Sequence, residues 1–307
     1  MLHHRCLALA ICAALADPGV CSAALVASFD PNVMATMFQD GNNTGGTIPV
    51  TAVNQPVRWI TDVRSPTPGG ASGVYDNWVD AQQANVAPTL VNSPGGTVLS
   101  LVGTSNLLVN DANISPKVDG VLGALDVNTI TLLTVGQANT DTGVKSMIDF
   151  GGTAPAAANH AFGLRYDNST NLLEGMVQGL VVASLPLMPN NLFAASLAWD
   201  GPNSTATLKL TTSSGTATSS GAASSSAINM LRIRLGKRQD NNGGTFFNGL
   251  IGDVRIYNDV ASHQDAFNAL AASYGIPEPT GLALAALACV ACLGGRRFAA
   301  KGGMGNA

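Results

Sequence analysis

Hydrophobic and polar residues alternate in a series of short stretches through the body of the chain. The stretches cover 129–135, 161–167, 175–184, 192–200, 205–211, 228–236 and 249–258, with clusters of Gly, Asn, Ser and Thr between them. In LRIRL, Arg232 and Arg234 alternate with three aliphatic residues, which predicts one face in the core and one in water. This spacing predicts an all-β, antiparallel β-sandwich rather than an α/β fold.

One helix is predicted at the end of the body, in the segment SHQDAFNALAASYG. Ser262 can cap it, with Asp265 three residues later as in a capping box. Phe267, Leu270 and Tyr274 share one face of this helix, and a glycine follows as a stop signal.

The segment 212–226, TSSGTATSSGAASSS, has low sequence complexity. Its composition predicts a solvated loop between strands rather than a linker between domains, because strong strand patterns follow it.

An apolar segment at the start of the chain indicates export. Residues 1–24 hold Arg5, an apolar run from Cys6 to Ala16, a Pro-Gly breaker and small residues before Leu25. These are the three regions of a secretory signal peptide, with cleavage expected after Ala23 or Ala24. All five cysteines lie in the two terminal apolar segments, so the body between them, residues 25–276, has no thiol chemistry.

A second apolar segment, 281–295, lies near the end of the chain and predicts a single helix. Counted generously, it would reach only ~24 Å at ~1.5 Å per residue, short of the ~30 Å hydrocarbon core. Arg296 and Arg297 supply a basic flank that holds this end on the cytoplasmic side. The prediction is therefore a marginal membrane helix with the body outside.

The last residues, 277–307, resemble the PEP-CTERM sorting tail of exported Gram-negative proteins. The resemblance rests on Pro277, Glu278 and Pro279, followed by the apolar helix and then by Arg296 and Arg297. It implies recognition by an exosortase-type membrane protease, a transient anchor in the inner membrane and delivery to the outer envelope or extracellular matrix. The extension after the arginines is longer than is usual in the family.

The order of the elements in the body resembles the laminin-G-like branch of the concanavalin A-like lectin/glucanase superfamily. The segment FNGLIGDVRIY, which runs from Phe247 to Tyr257, is its most specific part, and a W-x-D segment at Trp78 resembles the usual opening of such domains. The resemblance covers residues 70–275 and implies a jelly-roll sandwich across the single domain 25–276. It implies no particular ligand.

Glucanases of this superfamily use closely spaced glutamates as nucleophile and acid/base. The body holds one glutamate, Glu174, and no E-x-D-x-x-E motif. The aspartate pairs that could replace it are Asp141 with Asp149 and Asp253 with Asp259, which turn and strand-end roles explain better. The sequence therefore predicts a chain that is not an enzyme and has no catalytic residues.

Calcium is the one cofactor that the sequence offers. Asp76, Asp80 and Asp240 lie in loops rich in Asp and Asn, and hard cations prefer such oxygen ligands. Tight turns need the same residues, so a metal-free body is the alternative.

The net charge of −4 and the scattered basic residues exclude a nucleic-acid partner. We therefore expect an exported surface or matrix protein that binds or adheres to surface polysaccharide. The alternatives are a divergent glycan-active hydrolase and a passive structural protein without a ligand.

Overall fold

The structure is a computed structural model. It describes residues 25–40, 47–60, 63, 79–80, 87–103, 107–109, 127–151, 160–228, 232–238, 245–260 and 263–277. The strands are β1 (Leu25–Phe29), β2 (Met37–Phe38), β3 (Trp59–Ile60), β4 (Val79–Asp80), β5 (Thr89–Ser93), β6 (Gly96–Val102), β7 (Leu107–Val109), β8 (Thr129–Ala138), β9 (Val144–Gly151), β10 (His160–Asp167), β11 (Leu172–Val177), β12 (Leu180–Pro186), β13 (Leu192–Asp200), β14 (Thr205–Thr212), β15 (Gly215–Ala222), β16 (Arg232–Leu235) and β17 (Asn248–Tyr257). A short 3-10 helix covers Met34–Thr36, and helix α1 covers Gln264–Ser273.

Two large antiparallel sheets form the body. The first sheet has the order β15-β14-β13-β8-β17-β6-β5, with β1 also paired to β17. The second sheet has the order β12-β11-β10-β9-β16-β7-β4, and β2 and β3 make a small separate pair. The prediction of an all-β antiparallel sandwich is confirmed.

One apolar core lies between the two sheets. Trp199 and Leu197 of β13 belong to the same buried cluster as Phe150 of β9 and Phe162 of β10. Trp199 is completely buried, and its indole N–H donates to the carbonyl of Ser224 at 2.9 Å. The only polar atom of this buried side chain therefore has a hydrogen-bond partner.

Helix α1 packs on the outer face of the first sheet. Phe267, Leu270 and Tyr274 are buried, as the sequence predicts, in a second apolar cluster with residues such as Leu133. The cap differs from the prediction: the N-cap is His263, without a side-chain cap bond, and Ser262 lies outside the described residues.

Two strand predictions are corrected. The stretch 175–184 is not one strand, because Gln178 and Gly179 have positive φ angles of 49° and 76° and turn the chain between β11 and β12. The segment 212–226 is not a loop, because β15 within it pairs with β14 along all eight of its residues. β15 is an edge strand with most side chains exposed, so it has no hydrophobic alternation to reveal it.

The two terminal segments fall mainly outside the described residues. The predicted signal peptide, 1–24, and the tail from Glu278 onward are not described, and Pro277 is exposed after α1. Within the described ranges, no helix has the length and apolar character needed to cross a membrane.

Candidate functional site

Buried charges are concentrated on one sheet of this charge-poor protein. Among the described residues, five charged side chains are buried, and four of them lie in the second sheet or directly follow it: Asp149, Glu174, Arg234 and Lys237. Burial of a charged side chain destabilises the fold unless another group compensates the charge. A concentration of buried charges is therefore a candidate functional site.

Strand alternation places Asp149, Glu174 and Arg234 on the outer face of the second sheet. Ile148 and Phe150 point into the core on either side of Asp149, and Ile233 and Leu235 do so on either side of Arg234. The face that the sequence predicts to be wet is instead nearly closed to solvent, since Arg234 is only 3% exposed. We name Asp149, Arg165, Glu174 and Arg234 the charged outer face.

An ion pair joins two adjacent strands of this face. Arg165 of β10 and Glu174 of β11 are register partners, and the Arg165 Nε donates to the Glu174 Oε2 at 2.5 Å. The side chains are 22% and 11% exposed, so the pair lies where the charged outer face begins to open to water. A charge-assisted contact of this kind fixes the carboxylate in one orientation.

Asp149 lies one row farther along the same face. Its register partners are Gly163 on β10 and Arg234 on β16. Gly163 is buried, and a Cβ there would lie only 2.3 Å from the carbonyl oxygen of Ile148, so the close approach of the two strands requires glycine at this position. The arrangement is two carboxylates on one face, each next to an arginine in the sheet.

A groove lies on the opposite side of the sandwich, between the outer face of the first sheet and the start of α1. Its volume is about 300 Å³. It is lined by Thr131, Ser196, Ala198, Asp200, Thr205, Thr207, Lys209, Thr218, Val260, His263, Gln264 and Phe267. We call it the threonine groove, because hydroxyl side chains dominate its sheet wall.

One end of the threonine groove holds a histidine with a buried side chain. The His263 side chain is only 7% exposed, and its Nε2 lies 2.7 Å from Asp259 Oδ1. Its ring stacks on Tyr257 with the centroids 3.7 Å apart. Tyr257 and Asp259 together cover the ring. The other histidine of the body, His160, begins strand β10.

A third polar cluster lies under the end of α1. The Tyr274 hydroxyl donates to the carbonyl of Thr97 at 3.4 Å and accepts from Asn32 Nδ2 at 3.0 Å and from the backbone N–H of Asp253 at 3.2 Å. Burial raises the pKa of Tyr274, and Asp30 and Asp253 raise it further. This hydroxyl ties the start of the body to β6, β17 and α1.

Asp253 is buried beside that cluster rather than at an exposed strand end. Arg255 binds its Oδ2 through Nε at 2.8 Å and through Nη2 at 2.6 Å. Burial nevertheless raises the pKa of Asp253 to about 6, because desolvation outweighs the attraction of Arg255, and Asp30 adds repulsion.

Neither aspartate pair weighed from the sequence forms a shared site. Asp141 lies 3.5 Å from Lys145 before β9, whereas Asp149 lies beside Gly163 and Arg234 within the sheet. Asp253 binds Arg255, and Asp259 binds His263.

Only one of the three calcium candidates lies among the described residues. Asp80 lies in the short strand β4, opposite Leu108 of β7, and not in a loop. Asp76 and Asp240 lie outside the described residues. Within the described ranges, no group of three or more His, Cys, Asp or Glu side chains could hold a metal ion.

Of the sorting motif, only Pro277 is described; Glu278, Pro279, Arg296 and Arg297 are not. The charged outer face was not predicted from the sequence. Only Glu174 interrupts an otherwise apolar strand, whereas the strands of Asp149 and Arg165 contain further polar residues.

No protein-family model and no curated protein matches the chain. Solved structures with a similar fold include a GH54 α-L-arabinofuranosidase, 14% identical at a TM-score of 0.54, which covers 82% of this chain and 62% of that one. An arabinofuranosidase bound to arabinofuranosyl-α-1,2-xylobiose is similar at 13% identity, a TM-score of 0.53 and the same two coverages. A Trypanosoma rangeli sialidase also matches at 12% identity and a TM-score of 0.48, covering 72% of this chain and 33% of that one.

These matches overturn one prediction. The chain was expected not to be an enzyme, but the two arabinofuranosidases named above, which have a similar fold, are glycoside hydrolases. The identities are low and the chain spans about 62% of the arabinofuranosidases, so the similarity establishes the fold alone. The chemistry of the charged outer face must therefore be inferred from its own residues.

Proposed function

We propose that the protein is a divergent glycan-active hydrolase that cleaves glycosidic bonds at the charged outer face. The observation that carries this proposal is the placement of Asp149 and Glu174 on one face of the second sheet, separated by strand β10. Hydrolysis of a glycoside needs two carboxyl groups on opposite sides of the scissile bond.

Strand geometry gives the spacing of the pair. Two strand intervals of ~4.8 Å across the sheet and two residues along β10 separate the Cα atoms of Asp149 and Glu174 by about 12 Å. If the side chains of Asp149 and Glu174 turn toward each other, their carboxyl groups come closer than their Cα atoms. Their separation then suits the ~6.5–9.5 Å of inverting enzymes better than the ~5–5.5 Å of retaining enzymes. A water molecule fits between the sugar and one carboxylate at that distance.

The surroundings of each carboxyl group suggest its role. We assign Glu174 as the base that takes a proton from the attacking water, because Arg165 holds its carboxylate oriented. We assign Asp149, the second carboxyl group of the pair, as the acid that protonates the leaving oxygen, because inverting hydrolysis needs one acid and one base. The sugar would approach from the side of Arg165 and Glu174, where the charged outer face begins to open to water.

The substrate class comes from the fold neighbours and from the export prediction. The similar structures include one soaked with 4-nitrophenyl α-L-arabinofuranoside and one bound to an arabinofuranosyl xylobiose. We therefore propose a neutral pentose or hexose glycoside of an extracellular polysaccharide as the substrate.

The test is hydrolysis by the full chain in mild detergent. Hydrolysis of a panel of 4-nitrophenyl glycosides, including the α-L-arabinofuranoside, is measured by the release of nitrophenolate. Hydrolysis of arabinoxylan is measured by the formation of new reducing ends. We expect release from at least one furanoside or pyranoside. No release from any substrate, by protein shown to be folded, would refute the proposal.

We also propose that the sandwich is a laminin-G-like jelly roll on an exported protein. Support comes from the FNGLIGDVRIY segment, which forms β17 at the centre of the first sheet, and from the basic-apolar pattern of the two termini. The tail 277–307 would hold the chain in the inner membrane until an exosortase-type protease removes it.

Intact-mass measurement of protein extracted from the cell envelope tests the sorting proposal. We expect a mature form that begins near Leu25 and ends near Pro277 to Pro279. If every extracted molecule retains Leu282 to Ala307, the tail is a simple anchor and the protease has no role.

A further inference from the structure

We infer that the threonine groove is a second carbohydrate-binding site, which holds one neutral sugar unit of a polysaccharide on the side of the sandwich opposite the charged outer face. The site itself stands on the groove's own geometry. The proposed function supplies only the expectation that the same polysaccharide is the substrate.

The sheet wall of the groove is a regular array of small polar side chains. Three neighbouring rows of register partners build it: Ser196, Lys209 and Thr218; Ala198 and Thr207 beside Thr131; and Asp200 with Thr205. Strand spacing puts adjacent side chains of a row about 5 Å apart, and successive rows about 7 Å apart. Hydroxyl groups of a pyranose or furanose ring are separated by comparable distances.

Some hydroxyl groups of the groove form hydrogen bonds within the protein, and others are available to bind a ligand. Thr131 Oγ1 donates to the carbonyl of Asp259 at 2.7 Å, and Thr207 Oγ1 lies 2.9 Å from Ser220 Oγ. Within the described residues, the hydroxyls of Ser196, Thr205 and Thr218 have no hydrogen-bond partner, although all three face the groove. These hydroxyls can donate to and accept from a sugar.

The opposite wall comes from α1 and is held in place by one lysine. Lys209 Nζ lies 4.5 Å from the centroid of the Phe267 ring and donates to Gln264 Oε1. These contacts join strand β14 to the first turn of the helix, so the two walls keep a fixed separation. The pocket is therefore formed before a ligand arrives.

Charge decides between a neutral and an anionic ligand. The ammonium group of Lys209 is already engaged by Gln264 and Phe267, whereas the Asp200 carboxylate lines the other end of the groove. Asp200 would repel a phosphate, sulfate or uronate. A volume of about 300 Å³ is at the lower limit for ligand pockets, which fits a single sugar ring.

Phe267 is only 2% exposed and cannot offer its face to a sugar, so binding relies on hydrogen bonds. Each such bond contributes little net free energy in water, and we expect weak binding of a single sugar. A polysaccharide that offers many copies of the unit would be retained far better than the free sugar.

Affinity electrophoresis of the full chain tests the inference. Native gels in mild detergent contain soluble arabinoxylan, galactomannan or anionic alginate, and a gel without polysaccharide is the reference. We expect retardation by at least one neutral polysaccharide. Retardation by none, or retardation by alginate alone, would overturn the inference.

A groove-filling variant gives the second arm. Thr218 is exposed, so Thr218→Trp should fold while its indole covers the Ser196–Lys209 row; Thr216→Trp, on the same face of β15 but outside the lining, is the matched control. We expect Thr218→Trp to lose at least about tenfold in retention, with an unchanged melting temperature, and Thr216→Trp to keep it. Equal retention by both variants would overturn the inference.

Hydrolysis of a small 4-nitrophenyl glycoside separates this inference from the proposed function. Thr218→Trp should leave that rate unchanged, because the charged outer face lies on the other sheet. Loss of that rate in Thr218→Trp, but not in the control, would instead place the reaction in the groove.

Discussion

Arg165 and Glu174 face each other across strands β10 and β11 on the outer face of the second sheet, with Nε and Oε2 2.5 Å apart. The pair is mostly excluded from solvent, so each charge depends on the other for compensation. The same contact that orients a reactive carboxylate therefore also contributes to the stability of the sandwich.

Arg165→Met should destabilise the protein by about 2–3 kcal/mol, because Glu174 would keep a largely buried charge without its guanidinium. The double variant Arg165→Met/Glu174→Gln should recover part of that loss, since no isolated charge remains. Urea denaturation of the two variants and of the wild type measures this. A double variant less stable than Arg165→Met would show that the pair is not coupled in this way.

Asp253 should make stability depend on pH in the direction opposite to that of an ordinary surface carboxylate. Burial raises its pKa in the folded protein to about 6, well above the ordinary value for an aspartate. The folded state therefore holds this proton more tightly than the unfolded chain, and the group destabilises the fold above pH 6. The penalty is relieved as the pH falls from 7 toward 4.

Asp253→Asn removes this titration. Relative to that variant, the wild type should gain about 1 kcal/mol between pH 7 and pH 5, from the value of ~1.36 kcal/mol per pKa unit. Denaturation at the two pH values measures the difference. A difference that is constant, or that falls toward pH 5, would mean that Arg255 holds Asp253 ionised.

Tyr274→Phe should cost about 1–3 kcal/mol, because the buried N–H of Asp253 and the amide of Asn32 lose their common acceptor while the ring stays in place. Ser273→Ala, one residue earlier on α1, is the control and should cost less than about 1 kcal/mol. Thermal and urea unfolding give both values. A Tyr274→Phe variant as stable as the control would mean that this polar cluster does not contribute to the stability of the fold.

Methanol added to the reaction should not be glycosylated. An inverting enzyme has no covalent glycosyl intermediate that an alcohol can intercept, and the separation of Asp149 and Glu174 across β10 favours inversion. Mass spectrometry of the products checks this. A methyl glycoside among them would indicate a retaining mechanism and a closer pair of carboxyl groups.

Much of the sheet architecture follows from the sequence. The stretch 192–200 coincides with β13, and 249–258 differs from β17 by one residue at each end, because central strands of a sandwich have a core-facing side that alternation reveals. The edge strand β15 lacks such a side, so its sequence of Ser, Thr, Ala and Gly shows no hydrophobic alternation from which a strand could be predicted.

The candidate site could not be derived in the same way. A catalytic pair was sought as neighbouring carboxylates in sequence, but Asp149 and Glu174 are 25 residues apart and meet only through the register of β9, β10 and β11. Pairing of strands is a long-range property that local composition does not encode. Likewise, the burial of Arg234 on a face that alternation marks as wet depends on packing outside its own strand.

The hydrolysis rates of Asp149→Asn and Glu174→Gln, compared with Asp265→Asn, test the central claim most directly. All three substitutions remove one carboxylate, and Asp265 is exposed on α1, away from the charged outer face. With every variant folded by circular dichroism, the first two should lose at least about 100-fold in kcat/KM, as expected for a general acid or base, and Asp265→Asn should match the wild type. Wild-type rates in Asp149→Asn and Glu174→Gln would contradict the account.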